Sequence, residues 1–555
     1  MLLEATRPEF KTLLDAITLT EADDQTALIF VETDQPDQVI SRKVFLEAVQ
    51  AYAGALQILG LQAGDLVLIA HAQNLESMYL FWGALYMGAL PSMFPTLSDK
   101  LDPDIYISNM RQLADFSKAR LLLTSDDFAP LLRRALKLQV VASAELDLRQ
   151  PMVEAYAARP EATAFLQHTS GTTGLQKGIM LSHQAVLNQL GHYAEAISLQ
   201  ADDVIVSWLP LYHDMGLIAG FIQPIVQGIP LVLMSPFDWV QHPALLLKAI
   251  DQHRGSLCWL PNFAYHHMAR RIRQRDSEHV DLSSMRLWIN CSEPVYASTH
   301  RLFYERFAAN GVQEAHLQVS YAMAENTFAV TQSRESRVIR IDANALHEEQ
   351  MARVVAADDP QALEQLACGP AIADVALKVV DPVKRQCVAA GQVGEMMVKS
   401  DSMLSGYHER PDLEPIEDGF YATGDMAYML DGQVYIVGRY KDLIINAGKN
   451  IYPQDLEALI QEVPGVHPGR VVVFGVYEER EGTELIGAVA EVDTQDPAEK
   501  KVLAKGIRQR VGQGSSVTLN YLSLVEAGWL IKTSSGKIAR SANRDKWRQQ
   551  EKGDV

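Results

Sequence analysis

Amphipathic helical patterns and short apolar runs alternate along most of the chain. Residues 41–59 have the spacing of a helix with one apolar face, and the unbroken apolar run 66–70 follows. Further apolar runs at 120–124, 204–208 and 231–234 are typical of buried strands, each close to a helical pattern or a Gly/Pro turn. This alternation predicts an α/β fold built from layers of helices and sheet.

The most apolar window, residues 217–234, is interrupted by polar residues, glycine and prolines: Gln223, Pro224, Gln227, Gly228 and Pro230. A membrane span would leave these groups unsatisfied in lipid, so we expect no transmembrane segment and interpret the window as buried strands and a turn. The amino terminus carries Glu4 where a secretory signal needs an uninterrupted apolar stretch, so no export signal is expected either.

The pattern changes near residues 438–442, after the turn Asp431-Gly432 and a strand-like run at 433–437. Beyond this point the chain predicts a helix at 454–462, strands at 470–477 and through 491, and a helix at 498–511. About 110 residues suffice for an independent α+β domain. We therefore predict a large, multi-layered domain at 1–438 and a small domain at 439–555.

The charge of the chain excludes some functions. Its net charge is −20, with 69 acidic and 49 basic residues, so the overall field repels nucleic acid. The four cysteines, Cys258, Cys291, Cys368 and Cys387, match neither a metal ligand set nor a disulfide framework, and they suit a reducing cytoplasm. An anionic substrate would need a local site of donors and cations.

Residues 165–178 supply such a site. Glycines, hydroxyl side chains and one lysine follow an apolar strand-like run: Thr169, Ser170, Gly171, Thr172, Thr173, Gly174 and Lys177. Backbone N–H groups and hydroxyls of this kind can wrap a polyphosphate, with Lys177 adding charge. Gln176 and Gly178 flank the lysine, which departs from the Walker P-loop pattern. A flexible polar turn is the alternative interpretation.

With this loop, the sequence resembles the adenylate-forming superfamily of acyl-CoA synthetases, fatty acyl-AMP ligases, adenylation domains and luciferases. Other segments match that superfamily's motifs in order: Leu209-Pro210-Leu211-Tyr212-His213-Asp214, Asn290-Cys291-Ser292-Glu293-Pro294, Tyr321-Ala322-Met323-Ala324-Glu325, Tyr421-Ala422-Thr423-Gly424-Asp425, Gly438-Arg439-Tyr440-Lys441-Asp442 and Ser535-Gly536-Lys537. The resemblance covers nearly the whole chain and implies ATP-dependent activation of a carboxylic acid as acyl-AMP.

The resemblance also implies roles for single residues at the nucleotide. Glu325 would hold Mg²⁺ against the phosphates of ATP, and Asp425 would accept hydrogen bonds from both ribose hydroxyls. Arg439 would contact ribose or phosphate. The adenine would lie between the turn Ser292-Glu293-Pro294 and the segment Tyr321-Ala322-Met323. Without the motifs these residues would be interpreted as surface charges, turn residues or core.

Two lysines of the predicted small domain have implied roles. Lys537 would bridge the substrate carboxylate and the α-phosphate, which makes it a catalytic residue, although a lysine in a basic tail is otherwise a solvated charge. Because Lys537 belongs to the small domain, that domain must be mobile and close over the large one. Lys441 would be the hinge.

Four segments resemble fatty acyl-AMP ligases in particular: 211–217, 261–265, 321–326 and 450–455. The substrate is then a medium- or long-chain fatty acid, and the apolar stretch 217–239 with Trp259 and Phe263 could line its slot or be plain core. His213, a candidate catalytic residue, could gate that slot or be an ordinary core histidine.

The acceptor of the acyl group stays open at this point. Residues 337–366 resemble the insertion with which fatty acyl-AMP ligases restrain the small domain and disfavour free CoA, which favours the phosphopantetheine thiol of an acyl carrier protein. The phosphate loop resembles acyl-CoA synthetases equally well. A third possibility is a non-catalytic nucleotide- or lipid-binding protein on the same fold, which retention of Lys177, Glu325, Asp425 and Lys537 argues against.

Overall fold

The structure is a computed structural model of the chain. It describes residues 10–18, 23–97, 103–149, 153–168, 177–356, 358–359, 362–413, 416–446, 449–478, 480, 483–515, 517–533 and 536–553. None of the helices within these ranges combines the length and the apolar character that a membrane crossing requires.

A mostly parallel, eight-stranded sheet forms the centre of the large domain as described. Its strands lie in the order Ala329–Gln332, Leu317–Ala322, Leu287–Asn290, Leu257–Leu260, Ile205–Ser207, Leu231–Met234, Thr26–Val31 and Gln38–Ser41. The first and last pairs are antiparallel and the inner pairs are parallel. Inner strands of such a sheet are covered on both faces, which explains their continuous apolar runs.

Further sheets complete the large domain in the described residues. A parallel sheet contains Leu90–Met93, Leu66–Ala70, Leu121–Thr124 and Val140–Ala142, and a second sheet contains Gly406–Tyr407, Gly178–Ser182 and Thr163–His168. An antiparallel sheet contains Ala376–Val380, Gly394–Lys399, Phe420–Leu430, Ile416–Glu417 and Gln433–Arg439. Val338–Asp342 pairs with Ala362–Leu366.

Helices pack around these sheets, and their starts follow capping rules. The side chain of Ser41 accepts from the backbone N–H of Val44 and begins the helix Arg42–Ile58, and Asn74 forms a capping box with Ser77. The α-helices described in the large domain are Leu13–Thr18, Arg42–Ile58, Leu75–Tyr86, Pro103–Ser117, Ala129–Ala135, His183–Ala196, Gln223–Gln227, Pro236–Gln241, Ala244–His253, Asn262–Arg271, Gln274–Ser277, Ala297–Phe307 and Ala343–Glu348.

The carboxyl-terminal part has its own smaller sheet and core. The strands Val466–Glu478, Thr483–Val492 and Leu519–Val525 form a mixed sheet, and Ile444–Asn446 pairs with Lys449–Ile451. The described helices of this part are Pro453–Gln461, Pro497–Gly514 and Arg540–Gly553. A separate apolar cluster fills this part, including Leu456, Ile460, Val473, Ile486 and Ile507. The fold is α/β, with a large amino-terminal domain and a small α+β domain.

Most predicted elements are confirmed. The strands predicted at 66–70 and 231–234 have the predicted bounds, those at 120–124 and 204–208 are one residue shorter at one or both ends, and the helix predicted at 41–59 is Arg42–Ile58. The predicted domain boundary at 438/439 coincides with the end of the strand Gln433–Arg439 and remains a prediction.

The interpretation of residues 217–230 as strand and turn was wrong. Met215–Ile222 is a fully buried π-helix, and Gln223–Gln227 continues it as an α-helix that ends at the left-handed Gly228. This helix lies so close to its neighbours that a Cβ on Gly216 would come within 2.1 Å of the Pro210 carbonyl oxygen. Glycine therefore permits a close approach of helix and strand end.

Candidate active site

The phosphate loop connects two paired strands. Thr163–His168 and Gly178–Ser182 are antiparallel, with His168 opposite Gly178. The predicted ligands Thr169 to Gly174 lie outside the described residues. Lys177 is described, and its Nζ lies 5.0 Å from the centroid of the Tyr407 ring. Tyr407 belongs to the short strand that pairs with Gly178–Ser182.

Glu325 lies beside the same tyrosine. It occupies a one-turn 3₁₀ helix, Ala324–Asn326, directly after the strand Leu317–Ala322. The hydroxyl of Tyr407 donates to its Oε1 at 3.3 Å, and the hydroxyl of Tyr421 donates to the same oxygen at 3.1 Å. The structure thus brings Lys177 and Glu325 together around Tyr407.

The carboxylate of Glu325 fits a Mg²⁺ ligand. Burial raises its pKa, although the Tyr421 hydrogen bond and the charge of Arg439 oppose that shift, so the ionised form is short of compensating charge. Both tyrosine hydroxyls bond Oε1, so they do not occupy Oε2. A hard cation bound by one carboxylate together with phosphate oxygens and water suits such a group.

Asp425 is held by two partners. The hydroxyl of Tyr321 donates to its Oδ2 at 2.5 Å, and Nε of Arg439 lies 3.0 Å from its Oδ1. Strand pairing places Arg439 directly opposite Asp425, and the charge of Asp425 raises the pKa of Arg439. A carboxylate oxygen can accept two hydrogen bonds, and each oxygen of Asp425 has one of these partners, so each has capacity for one more donor, such as a ribose hydroxyl.

The two carboxylates are joined reciprocally. Tyr321 precedes Glu325 by four residues, and Tyr421 precedes Asp425 by four residues. Tyr321 donates to Asp425, and Tyr421 donates to Glu325. The segments 321–325 and 421–425 therefore run past each other, with each tyrosine bonded to the carboxylate of the other segment.

The segment 321–323 begins with Tyr321 of this network, and the turn 292–294 contacts Met215 and Phe263. Ser292, with a φ of +74°, has its Oγ 3.7 Å from Sδ of Met215. Glu293 accepts a hydrogen bond from the backbone N–H of Phe263, and Pro294 follows it. Ala322 and Met323 connect Tyr321 to Glu325, and the N–H of Met323 donates to the Phe328 carbonyl at 2.8 Å.

His213 and Asp214 lie at the start of the π-helix. Nδ1 of His213 is 2.5 Å from Oδ1 of Asp214, which also caps the helix through the N–H of Met215 at 2.8 Å. Burial alone would raise the pKa of Asp214, but His213, Lys537 and the helix cap outweigh it and lower that pKa. His213 thus contacts a carboxylate, which fits both a gate of the slot and a core histidine with a polar partner, so its role remains a prediction.

Lys537 comes from the small domain, yet its charge acts on this region. Burial raises the pKa of Glu293, and the charge of Lys537 opposes that shift, as it does for Asp214. The backbone of Lys537 is held by Thr533: the N–H of Thr533 donates to the Lys537 carbonyl at 2.7 Å. Lys441 lies in the 3₁₀ turn Tyr440–Asp442 directly after the strand Gln433–Arg439, and burial together with Arg439 lowers its pKa.

A group of aromatic side chains lies beside the turn 292–294. The indoles of Trp208 and Trp239 stack at 3.8 Å with an interplanar angle of 4°, and the Phe263 ring lies 6.0 Å from Trp208. Since the N–H of Phe263 contacts Glu293, this aromatic group adjoins the turn 292–294. Trp259 instead donates to the Tyr193 hydroxyl at 2.8 Å within the buried core.

Several residues of the site had no role predicted from the sequence. Tyr407 stands in no motif identified in the sequence, and nothing local distinguishes it. Tyr421 and Asp214 lie inside segments that match motifs of the superfamily, four residues before Asp425 and one residue after His213. Their positions in those motifs were the signal that could have identified them.

Comparison with known proteins agrees with this geometry. The family described as AMP-binding enzyme matches residues 17–408. The chain is 31% identical, over 98% of its length and 96% of the relative's, to the medium-chain-fatty-acid–[acyl-carrier-protein] ligase JamA of Moorena producens. It is also 31% identical to the long-chain-fatty-acid–AMP ligase FadD28 of Mycobacterium tuberculosis, covering 88% of each chain.

Solved structures of fatty acyl-adenylate ligases also match this chain. A structure from a study of fatty acyl-adenylate ligases of E. coli and L. pneumophila superimposes with a TM-score of 0.89 at 26% identity and covers 99% of both chains. The fatty acyl-adenylate ligase of L. pneumophila in complex with acyl adenylate and pyrophosphate superimposes with a TM-score of 0.74 at 25% identity, covering 98% of this chain and 96% of that one. Together with the site described above, these matches show that the chain belongs to the AMP-binding enzyme family.

Proposed function

We propose that this protein is a cytoplasmic fatty acyl-AMP ligase that passes its product to a carrier protein. It uses ATP and Mg²⁺ to convert a medium- or long-chain fatty acid to acyl-AMP, with release of pyrophosphate. It then transfers the acyl group to the phosphopantetheine thiol of an acyl carrier protein. The single observation that carries the proposal is the reciprocal bonding of Tyr321 with Asp425 and of Tyr421 with Glu325.

In this proposal the network orients ATP. Asp425 accepts hydrogen bonds from the ribose hydroxyls, and Arg439 holds the carboxylate in place and adds positive charge. Lys177, beside Glu325, contacts the phosphates together with the loop 169–174. Glu325 is the residue that would hold Mg²⁺, whose charge would offset that of the phosphate oxygens.

The first step joins two anions. An oxygen of the fatty acid carboxylate attacks the α-phosphorus, the bond from that phosphorus to the bridging oxygen breaks, and pyrophosphate leaves. Lys537 supplies positive charge where the carboxylate meets the α-phosphate, which lowers the barrier that repulsion would otherwise raise. The influence of Lys537 on Asp214 and Glu293 supports this placement.

The second step requires a thiol. Its sulfur attacks the acyl carbonyl carbon, the bond to the phosphate oxygen breaks, AMP leaves and a thioester remains. Lys441 is proposed as the hinge about which the small domain turns to admit the thiol. Its position in the turn Tyr440–Asp442, after the last strand of the large domain, supports that role.

Contacts of the segment 338–366 with the small domain support a carrier protein as acceptor. His347 Nε2 lies 3.2 Å from Asp455, and Lys449 Nζ lies 2.7 Å from Glu348. The Tyr452 hydroxyl donates to Gln350 at 2.9 Å. These contacts restrain the small domain, and the relative JamA is by its name an acyl-carrier-protein ligase.

A fatty acyl-CoA synthetase is the second candidate, because free CoA carries the same phosphopantetheine thiol and the nucleotide residues would be the same. The third candidate is a non-catalytic nucleotide- or lipid-binding protein. Its site would have no need for the positive charge by which Lys537 helps to lower the pKa of Asp214.

The test is pyrophosphate release by the pure protein with ATP, Mg²⁺ and a mixture of fatty acids of different length. We expect release with at least one acid, at least a hundredfold loss in Lys537→Ala, and no change in the control Lys505→Ala, an exposed lysine of the helix Pro497–Gly514. No release with any acid would refute the proposal. Mass spectrometry after addition of carrier protein or CoA then identifies the acceptor.

A further inference from the structure

A cluster of arginines lies at the end of a helix that begins at the active site. Four of the six residues 270–275 are arginine: Arg270, Arg271, Arg273 and Arg275. All four side chains are exposed, in a chain whose net charge is −20. Such a local concentration of positive charge creates a potential that attracts an acidic partner, even in a chain that is acidic overall.

The neighbouring acidic groups leave this charge largely uncompensated. Within the described residues, Arg270, Arg271 and Arg273 form no ion pair, and Arg275 lies 3.6 Å from Asp276, its sequence neighbour. Asp281, the next aspartate along the chain, is paired with Arg254 at 2.8 Å. Glu278 also lies three residues after Arg275, so four guanidinium groups meet two nearby carboxylates, Asp276 and Glu278.

A fifth arginine joins the cluster from a neighbouring helix. Arg306 of the helix Ala297–Phe307 donates to the Ile272 carbonyl at 3.1 Å and to the Ser277 hydroxyl at 3.0 Å. These partners are neutral, so its charge adds to the others. We call these five residues, Arg270, Arg271, Arg273, Arg275 and Arg306, the arginine patch.

The helix Asn262–Arg271 connects the patch to the site of chemistry. Its first turn carries Phe263, whose backbone N–H donates to Glu293 and whose ring is 39% exposed beside Trp208. From Phe263 to Arg271 the helix rises about 12 Å, at 1.5 Å per residue. A phosphopantetheine arm has about as many backbone bonds as four residues of extended chain, so it spans roughly 15 Å.

We infer that the arginine patch is the docking surface for the carrier protein, which would present an acidic surface to it while its arm follows the helix to the acyl-adenylate. This inference rests on the proposed function. Charge complementarity argues for a protein partner, because the overall charge of −20 opposes long phosphate polymers and anionic bilayers, whereas a small acidic domain meets the patch alone.

The experiment is charge reversal, Arg271→Glu with Arg273→Glu, in the full-length enzyme. We expect unchanged pyrophosphate release and unchanged transfer to free pantetheine, with the KM for the acidic carrier protein raised at least tenfold. Transfer to the carrier should fall with added salt in the wild type and respond weakly in the variant. The control is Arg134→Glu with Lys137→Glu, an equal charge change at exposed positions at the end of the helix Ala129–Ala135.

Each outcome decides one question. A carrier KM within twofold of wild type, or an equal rise in the control, overturns the inference. A rise in the KM for CoA instead of the carrier assigns the patch to free CoA and also overturns it, as does vesicle or nucleic-acid binding that displaces the carrier. Absence of pyrophosphate release from the wild type is a different failure, that of the proposed function.

Discussion

Replacing Asp425 with asparagine removes one negative charge and almost no volume. In the wild type, Oδ2 accepts from the Tyr321 hydroxyl at 2.5 Å and Oδ1 lies 3.0 Å from Nε of Arg439. The proposed ribose contacts use the remaining acceptor position on each oxygen. Asparagine offers one carbonyl oxygen and one NH₂ group. The NH₂ group replaces one of the two oxygens and then faces the Tyr321 hydroxyl or the Arg439 guanidinium, which are themselves donors.

The expected effect can be worked from these bonds. A hydrogen bond to a charged group is worth about 1.5–3 kcal/mol and a neutral one about 0.5–1.5 kcal/mol, so the ribose bond that persists loses about 1 kcal/mol. The other ribose bond is lost or reversed, which brings the total to about 2.5–4 kcal/mol. At about 1.4 kcal/mol per tenfold, kcat/KM for ATP should fall between about 60-fold and about 700-fold.

The assay is pyrophosphate release over a series of ATP concentrations. Because ribose bonds are made equally in the bound and transition states, the loss should appear in the KM for ATP with kcat little changed. Tyr321→Phe is the matched control: it keeps the charge of Asp425 and removes one hydroxyl, so a loss below tenfold is expected. A KM for ATP within threefold of wild type in a folded Asp425→Asn protein would refute the assignment of Asp425 to the ribose.

Two further predictions concern Glu325 and the contacts of the small domain. Burial raises the folded-state pKa of Glu325, so its contribution to stability is complete below the ordinary glutamate pKa of 4.5 and is lost as pH rises through the raised pKa. Glu325→Gln should therefore melt higher than wild type at pH 7.5 without nucleotide, with the difference closing as the pH falls toward 4.5, and should release no pyrophosphate. Equal melting temperatures at pH 7.5 would contradict this. The ion pair of Glu348 and Lys449 is partly exposed and worth at most about 1 kcal/mol. Lys449→Ala should therefore increase CoA thioester formation by no more than about fivefold at constant pyrophosphate release. No increase would show that this ion pair does not influence the choice of acceptor.

Elements buried on both faces could be predicted from sequence because burial imposes one simple pattern. Leu66–Ala70 and Leu231–Met234 are continuous apolar runs of strand length in parallel sheets, and their bounds were predicted correctly. The start of Arg42–Ile58 has a local cause as well, since Ser41 is a strong helix cap.

The π-helix Met215–Ile222 could not be predicted in the same way. It is buried on every side, so no polar face marks a helical period, and an apolar run of that length is equally consistent with a strand. What decides its conformation is tertiary packing: a Cβ on Gly220 would come within 2.9 Å of the Ser207 hydroxyl, and a Cβ on Gly216 would meet the Pro210 carbonyl. Sequence shows the glycines but not the neighbours they approach.

The residues of the site also divide into those that the sequence identified and those that it did not. Glu325, Asp425 and Lys537 stand in motifs, so resemblance alone identified them as candidates. Tyr407 lies 82 residues after Glu325, and it reaches the carboxylate because the strand Gly406–Tyr407 pairs with Gly178–Ser182. That pairing depends on contacts between distant parts of the chain, which no local pattern contains.

The spacing within the two motifs explains why one nucleotide can satisfy both carboxylates. Tyr421 and Asp425 are four residues apart in the strand Phe420–Leu430, which contains Gly424 with a φ of +71°, so they are separated by at most about 13 Å at 3.3 Å per residue. Nine bonds connect a ribose hydroxyl carbon to the γ-phosphorus of ATP, a span of roughly 10–11 Å by the same measure as an extended chain. Because Tyr421 fixes Glu325 and Tyr321 fixes Asp425, the strand sets the distance between the phosphate end and the ribose end of the site. If either tyrosine hydrogen bond is broken, one of the two carboxylates is no longer held in place. The hydroxyls therefore act on ATP through the carboxylates that they position.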